Sequence, residues 1–379
     1  MIIPLSQFKM DKKKFKEIDK WMLFSIVTIV LFGILNIYLA TKPYAYNTTY
    51  VIKQSLFFGV SLVGLYFIMA LDYSIIKGFT PLFYWGSVIL LVLVLVIGKT
   101  VNGAQGWINL GIVSFQPAEL AKVATIMMMG KKLEDMDGNI NNFKNFCIVA
   151  LYAIIPAALI VIQPDMGMTM VLFFMVVGVF FAGGLDKRII IGGLTGLVVA
   201  IVLVWNSGLI QPYQKMRIIS FQNPEANSSE EGYHLRQSLI GIGSGGFLGT
   251  NSSFSKESAG GYASQYVPEV ETDFIFAQIG EQWGLLGAAF LLSLYGILIF
   301  RMIAIARDSK DMFGNIVAIG MTSYLLFAIW QNIGMTIGLM PITGITLPLV
   351  SYGGSSLLTT ILSLGLVLNI GMRKRKLYF

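Results

Sequence analysis

The chain has 379 residues, of which 55% are hydrophobic and only 12% charged, and it carries a net charge of +7 at pH 7. One globule of this length cannot hide so much apolar surface, which excludes a soluble globular protein and indicates a polytopic membrane protein. A single cysteine, Cys147, and a single histidine, His234, exclude a disulfide framework and any Cys-rich or His-rich metal chemistry.

Residues 1–20 form a basic tail with Lys9, Lys12, Lys13, Lys14, Lys16 and Lys20, of the kind retained on the cytoplasmic side. The first apolar run is long and lacks a small-residue cleavage site, so it reads as a retained helix and not as a signal peptide. Ten spans are expected: Trp21–Ala40, Val51–Leu71, Pro81–Ile97, Pro117–Met129, Phe146–Ile162, Met166–Ala182, Ile189–Trp205, Phe274–Phe300, Ile316–Leu339 and Leu347–Ile370. Cys147 lies in one of these runs and is expected in the core. With the N-terminus inside, Lys77, Lys131, Lys132, Lys144, Lys187, Arg188, Arg301, Arg307, Lys310 and the terminal run Arg373 to Lys376 also fall inside. Both termini are then cytoplasmic, and the positive charge is a topology signal that gives no support to nucleic-acid binding. The expected architecture is all-α: one transmembrane domain over residues 21–371 between cytoplasmic tails at 1–20 and 372–379.

Two outer connections, residues 98–116 and 206–272, are long enough to hold structure. The larger one, between the seventh and eighth spans, contains an amphipathic piece, Tyr233 to Ile242, suited to a membrane surface. Gly241-Ile-Gly-Ser-Gly-Gly246 matches a dinucleotide fingerprint by letter, but no strand precedes it, so tight turns and close helix packing account for its glycines. Gly192 and Gly196 form a G-x-x-x-G pair for which intramolecular packing is expected.

Ionisable groups within or beside apolar spans are costly and mark candidate sites. Pro117 suits a first helical turn, Glu119 suits the helix dipole there, and Lys122 lies at i, i+3 from Glu119. The two either neutralise each other, or Lys122 lines an outward cavity and meets an anionic ligand. Asp165, in Gln163-Pro-Asp-Met-Gly167, is either a plain turn residue or part of that cavity. Glu269, Glu271 and Asp273 crowd together in Tyr266-Val-Pro-Glu-Val-Glu-Thr-Asp273. A helical segment would put Glu269 and Asp273 on one face, and an extended one would align all three. Crowding raises their pKa values, while a helix starting near Thr272 or Asp273 lowers them; the alternative is an N-cap within a solvated acidic loop. Glu281 lies two turns further on, toward the face of Asp273. Lys215, Arg217 and Arg236 add loop cations suited to a pyrophosphate. This pattern fits either a transporter or an enzyme acting on a lipid-linked anionic substrate.

Gly103-Ala-Gln-Gly-Trp-Ile108, Phe115-Gln-Pro-Ala-Glu-Leu-Ala-Lys122, Gln163-Pro-Asp-Met-Gly167, Pro268-Glu-Val-Glu-Thr-Asp-Phe-Ile-Phe276, Pro341-Ile-Thr-Gly344 and Leu347-Pro-Leu-Val-Ser-Tyr-Gly-Gly-Ser-Ser356 together resemble the SEDS family of RodA, FtsW and SpoVE, most closely the RodA branch. The resemblance runs nearly end to end. It implies a glycosyltransferase that polymerises lipid II into a growing glycan strand at the outer face of the bacterial cytoplasmic membrane, among membrane lipids and with a class B penicillin-binding protein as partner. It places the catalytic aspartate at Asp273 and puts Trp107, Glu119 and Lys122 in the cavity. Asp273 would act as general base, and Lys122 and the loop arginines would stabilise the departing pyrophosphate, a task that a divalent cation such as Mg2+ or Mn2+ could share, with no cofactor required by the sequence. The chain departs from the family pattern at Gly106, where a basic residue is usual, at Gln282, where a second acid is common, and at Met216, which stands before Arg217 in place of an acid. A lipid II flippase, or a scaffold that activates the penicillin-binding protein, are the competing expectations.

Overall fold

The computed structural model describes residues 16–43, 47–101, 103–109, 111, 114–207, 230–250 and 261–373. In chain order its helices are α1 Lys20–Thr41, α2 Asn47–Ala70, α3 Tyr73–Gly78, α4 Thr80–Ile97, α5 Pro117–Asp135, α6 Phe143–Ile162, α7 Met166–Ala182, α8 Lys187–Ser207, α9 Glu230–Gly245, α10 Tyr262–Tyr266, α11 Ile275–Arg307, α12 Met312–Thr336 and α13 Gly354–Met372. Each expected span is thus occupied by a helix. Among the described residues, seven helices are long and apolar enough by themselves to cross a bilayer, and α7 is a shorter apolar helix. The tenth expected span began too early. Residues 347–353 have no regular structure, and α13 starts only at Gly354, because the backbone leaves the helical region at Leu349, with φ 69°, and at Gly353, with φ 165° and ψ 103°.

The apolar windows of α12 and α13 are 72% and 78% buried, against 22% for α2 and α6, so the first pair forms the centre and the second pair faces outward. The reason lies in their polar side chains. Gln331, Asn332 and Thr336 on α12, and Thr359, Thr360, Ser363 and Asn369 on α13, are all buried. In hydrocarbon such groups need partners from other helices. Cys147, expected in the core, is exposed on α6, whose neighbours bury the opposite stripe of Val149, Ala153, Pro156 and Ile160.

The end of the bundle rich in basic residues is cross-tied. Asp19 caps α1 by accepting from Met22 N at 3.0 Å and pairs with Arg301 at the end of α11. Asp72 pairs with Arg373, Lys77 with Glu134, and Tyr73 donates to Asp311 at 2.8 Å.

At the other end, residues 98–116 form a small antiparallel sheet, β1 Lys99–Val101, β2 Ala104–Asn109 and β3 Ser114–Phe115, in the order β1-β2-β3. Lys99 pairs with Trp107 and Ile108 with Phe115. The amphipathic segment is α9, which packs its Leu235, Ser238 and Gly241 face inward; Ser238 donates to Thr336 O at 2.8 Å. Its glycine-rich end meets a break in α11 at Gly284, where φ is 60° and ψ is −156°. Leu285 N donates to Gly246 O at 3.0 Å and Thr250 N to Glu281 O at 2.9 Å, so groups freed by the break find partners in this segment. A side chain at Gly284 would collide with the backbone of Phe247 and Gly249. The fingerprint-like letters of residues 241–246 therefore serve close packing and turning, as expected. Gly192 and Gly196 do not: a side-chain carbon at either would meet nothing within 4 Å, because the small-residue face of α8 has no packed neighbour among the described residues.

Candidate functional site

A cavity of about 750 Å³ opens between the sheet, the start of α5, the turn before α7 and the segments leading into α11 and α13. Among the expected site residues its wall includes Trp107, Glu119, Lys122, Asp165, Glu269 and Asp273.

Pro117 opens α5 in its first turn, which places Glu119 and Lys122 one turn apart on the inward side. They are 5% and 2% exposed, so each charge depends on the protein for its partner. Lys122 Nζ lies 2.6 Å from Glu119 Oε2 and 3.8 Å from the centre of the Tyr324 ring. Thr359 donates to the same Glu119 oxygen at 2.8 Å. The pair neutralises itself and lines the cavity at once, so the ion pair and the place in the cavity wall occur together.

Residues 267–274 form a turn, not a helix or strand, and this divides the three acids. Thr272 N and Phe274 N both donate to Glu269 O, at 3.2 and 3.1 Å, with Glu269 itself at φ 51°. That left-handed conformation is uncommon outside glycine and tends to occur at functional sites. Glu269 and Asp273 face the cavity, whereas Glu271 turns toward Tyr50 and Tyr352. Burial, with the Glu269 charge added, pushes Glu271 above the usual carboxylate range against the opposing pull of its hydrogen bonds. Asp273 is not the N-cap of α11; Phe274 occupies that position without a side-chain cap.

The backbone of Asp273 is held from below. Asn332 Nδ2, wholly buried, donates to Asp273 O at 2.8 Å and to Ile345 O at 2.7 Å, binding the two segments together. Gln331 does the same for Pro341 O at 2.8 Å. Ser351 Oγ donates to Thr272 O and accepts from Leu347 N. Gly344, at φ 72°, lies against the carboxylate, and a side-chain carbon there would be 3.4 Å from Asp273 Oδ2.

Asp165 is both a turn residue and a cavity residue. Its Oδ1 caps α7 by accepting from Met168 N at 2.9 Å, and its Oδ2 accepts from Gln116 Nε2 at 3.1 Å. Half-buried Trp107 comes from β2.

Other expected residues are not brought into the cavity wall. Glu281 is 2% exposed, but its carboxylate accepts from Tyr262 N and Ala263 N, both at 2.6 Å, and so anchors α10. Arg236 is exposed on the outer face of α9. Lys215 and Arg217 lie outside the described residues. Conversely, His234, Tyr324, Gln116 and Tyr352 line the cavity without having been singled out for it from sequence. Only Gln331-Asn332, a polar pair inside an apolar span, carried a readable signal for the supporting groups.

Among the described residues no three His, Cys, Asp or Glu side chains gather as metal ligands. Mg2+ is often held by one or two carboxylates together with substrate phosphates. Glu269, exposed at the wall, is suited to hold Mg2+ or Mn2+ in that way, and the ion would supply charge neutralisation to a phosphate.

A family model described as "Cell cycle protein", covering FtsW, RodA and SpoVE, matches residues 18–376. Stage V sporulation protein E of Bacillus subtilis (strain 168) is 35% identical over 371 residues, covering 95% of this chain and 99% of the relative. Peptidoglycan glycosyltransferase MrdB of Escherichia coli (strain K12) is 37% identical over 301 residues, covering 79% and 80%. Among solved structures, a chain of a peptidoglycan synthase complex that coordinates polymerization and crosslinking gives a TM-score of 0.80 at 32% identity, covering 93% of this chain and 97% of that one. The rod shape determining protein RodA of Thermus thermophilus gives 0.71 at 29% identity, covering 95% and 98%.

Proposed function

The chain belongs to the FtsW, RodA and SpoVE family, and from that premise we propose that it is a peptidoglycan glycosyltransferase which polymerises lipid II at the outer face of the bacterial cytoplasmic membrane. The observation that carries this reading is the meeting of Asp273, Lys122 and Trp107 in one cavity wall. The cavity is large enough for a ligand of sugar and phosphate size.

In the proposed reaction Asp273 takes the proton from the 4-hydroxyl of the acceptor sugar. The freed oxygen forms a bond to the anomeric carbon of the donor. The bond from that carbon to the pyrophosphate breaks, and undecaprenyl pyrophosphate leaves with the electron pair. Attack from the opposite face inverts the anomeric centre and yields a β-1,4 linkage. Lys122 places a buried positive charge near the leaving group, held in position by Glu119 and the Tyr324 ring before substrate arrives. The Asn332 clamp holds the Asp273 backbone, and the missing side chain at Gly344 leaves room beside the Asp273 carboxylate. A class B penicillin-binding protein is the proposed partner, supported by the likeness to a synthase complex chain.

The test is glycan length after incubation of purified protein with lipid II, with and without the class B partner. A positioned general base contributes roughly 10²- to 10⁴-fold, so Asp273→Asn is expected to lose at least about a hundredfold in rate. Undiminished polymer from Asp273→Asn would remove the base assignment. Translocation of lipid II by wild-type vesicles, with no lengthening under any partner condition, would replace the transferase by a flippase.

A further inference from the structure

Helix α2 carries a cation that the proposed reaction leaves unused. Lys53 is exposed and lines the cavity, and it makes no ion pair or hydrogen bond among the described residues. Lys122, the other lysine of the wall, is already neutralised by Glu119 at 2.6 Å. The carboxylates of Asp165, Glu269 and Asp273 line the same space, so among the described residues Lys53 is the unpaired lysine of a wall with an excess of acid. An anion that enters this cavity needs such a charge. An ionisable side chain in an otherwise apolar span also marks a site by its cost.

The neighbours of Lys53 on α2 fix where it stands. Gln54, 1% exposed, donates to Ser351 O at 3.0 Å and accepts from Gly353 N at 3.2 Å. The Phe57 ring lies on Gly354, where any side-chain carbon would collide with it, and Tyr50 meets Tyr352 edge-on with ring centroids 4.9 Å apart. One flank of the helix is thereby locked to the turn at the cavity. On the other flank Ile52 and Leu56 are 59% and 62% exposed, as lipid-facing side chains are. At 100° per residue Lys53 falls on the seam between the two flanks. A headgroup carried on a lipid tail passes from the bilayer into the cavity across such a seam. Helix α2 has 24 residues, about 36 Å of length against about 30 Å of hydrocarbon, and Lys53 lies near its cavity end, so the amine can reach up to the level of lipid phosphates.

We propose that Lys53 binds the pyrophosphate of a lipid-linked substrate as it enters the cavity from the membrane. Its role is in binding, and the charge that develops in the transition state is left to Lys122. The inference rests on the lipid-linked substrate of the proposed function. A phospholipid offers a phosphate at the same level, but it has no sugar headgroup to fill the cavity that Lys53 lines.

Lys53→Met removes the charge and keeps the apolar stem, whereas Lys53→Arg keeps both. The side chain is exposed, so both variants are expected to melt at the wild-type temperature. Lys53→Met is expected to raise KM for lipid II about tenfold with kcat nearly unchanged, the pattern of lost uniform binding, and Lys53→Arg to restore KM to within about twofold of wild type. Wild-type KM in Lys53→Met, or a fall in kcat alone, would overturn the proposal and leave the transferase standing. If wild type makes no polymer, calorimetric titration in nanodiscs decides. The probes are a short-chain lipid-linked disaccharide pyrophosphate and the same disaccharide on a single phosphate, in phosphatidylcholine with and without phosphatidylglycerol. Tighter binding of the pyrophosphate probe by wild type, with that preference lost in Lys53→Met in both lipids, keeps the site without the transferase. Equal preference in the two proteins, or no binding to wild type, overturns it. A difference seen only with phosphatidylglycerol also overturns it and assigns Lys53 to phospholipid headgroups.

Discussion

Glu119 and Lys122 show what a single residue pair can do in this environment. Both are nearly excluded from solvent, and the ion pair, the Thr359 hydroxyl and the Tyr324 ring are what make their burial tolerable. Removing one charge leaves the other buried without a partner, which typically costs about 3–5 kcal/mol. Glu119→Gln keeps the shape and an acceptor for Thr359, so its loss of stability in detergent is expected to reflect that charge. The double variant with Lys122→Met should recover much of the melting temperature while remaining inactive. A single variant as stable as wild type would mean that water reaches Lys122 freely. Asp165 teaches a related lesson, since one carboxylate oxygen caps a helix while the other serves the cavity.

At the scale of elements, α12 organises the site, setting the Tyr324 ring against Lys122 and holding two loops by its amides. Its Gln331 and Asn332 reach the backbone of two segments that have no regular structure, 267–274 and 341–353. Irregular backbone inside a membrane protein must find its partners within the protein, and these two amides supply them. Asn332→Leu orphans the carbonyls of Asp273 and Ile345, at about 1–3 kcal/mol each. The expected outcome is a lower melting temperature and a fall in kcat larger than the rise in KM, because Asp273, the proposed base, moves while the rest of the cavity remains. A change in KM alone would show that the clamp does not position Asp273. Residue patterns alone conceal this dependence: Gln331 and Asn332 read as polar residues in an apolar run, and nothing near them in sequence names the loops they hold.

For the whole molecule, most of the described basic residues and the cross-tied helix ends gather at one end, and the sheet, α9, α10 and the cavity at the other. That polarity puts the cavity outside if the positive end is inside. In a Cys147→Ser background, Asn109→Cys is expected to react with a membrane-impermeant maleimide on intact cells, and Lys310→Cys only after permeabilisation. The reverse pattern would place the cavity on the cytoplasmic side and remove the proposed substrate from reach.

The membrane class and the helix of each span were legible in sequence, because each rests on local properties, apolar length and charge asymmetry, whereas that Asp273, Lys122, Glu119 and Trp107 share a cavity wall was expected from the family resemblance of short contiguous motifs. What the chain order could not disclose were contacts between segments far apart in it. Crowding of Glu269, Glu271 and Asp273 was plain, but only the turn decides that two face the cavity and one turns to Tyr50. Glu281 has the right helical spacing from Asp273, yet the anchoring of α10 claims its carboxylate. Gly192 and Gly196 have the letters of a packing motif but no helix against them among the described residues. Sequence determines which groups the chain must bury; the tertiary structure decides which partner each one meets, because in a bundle many partners come from segments far away in the chain.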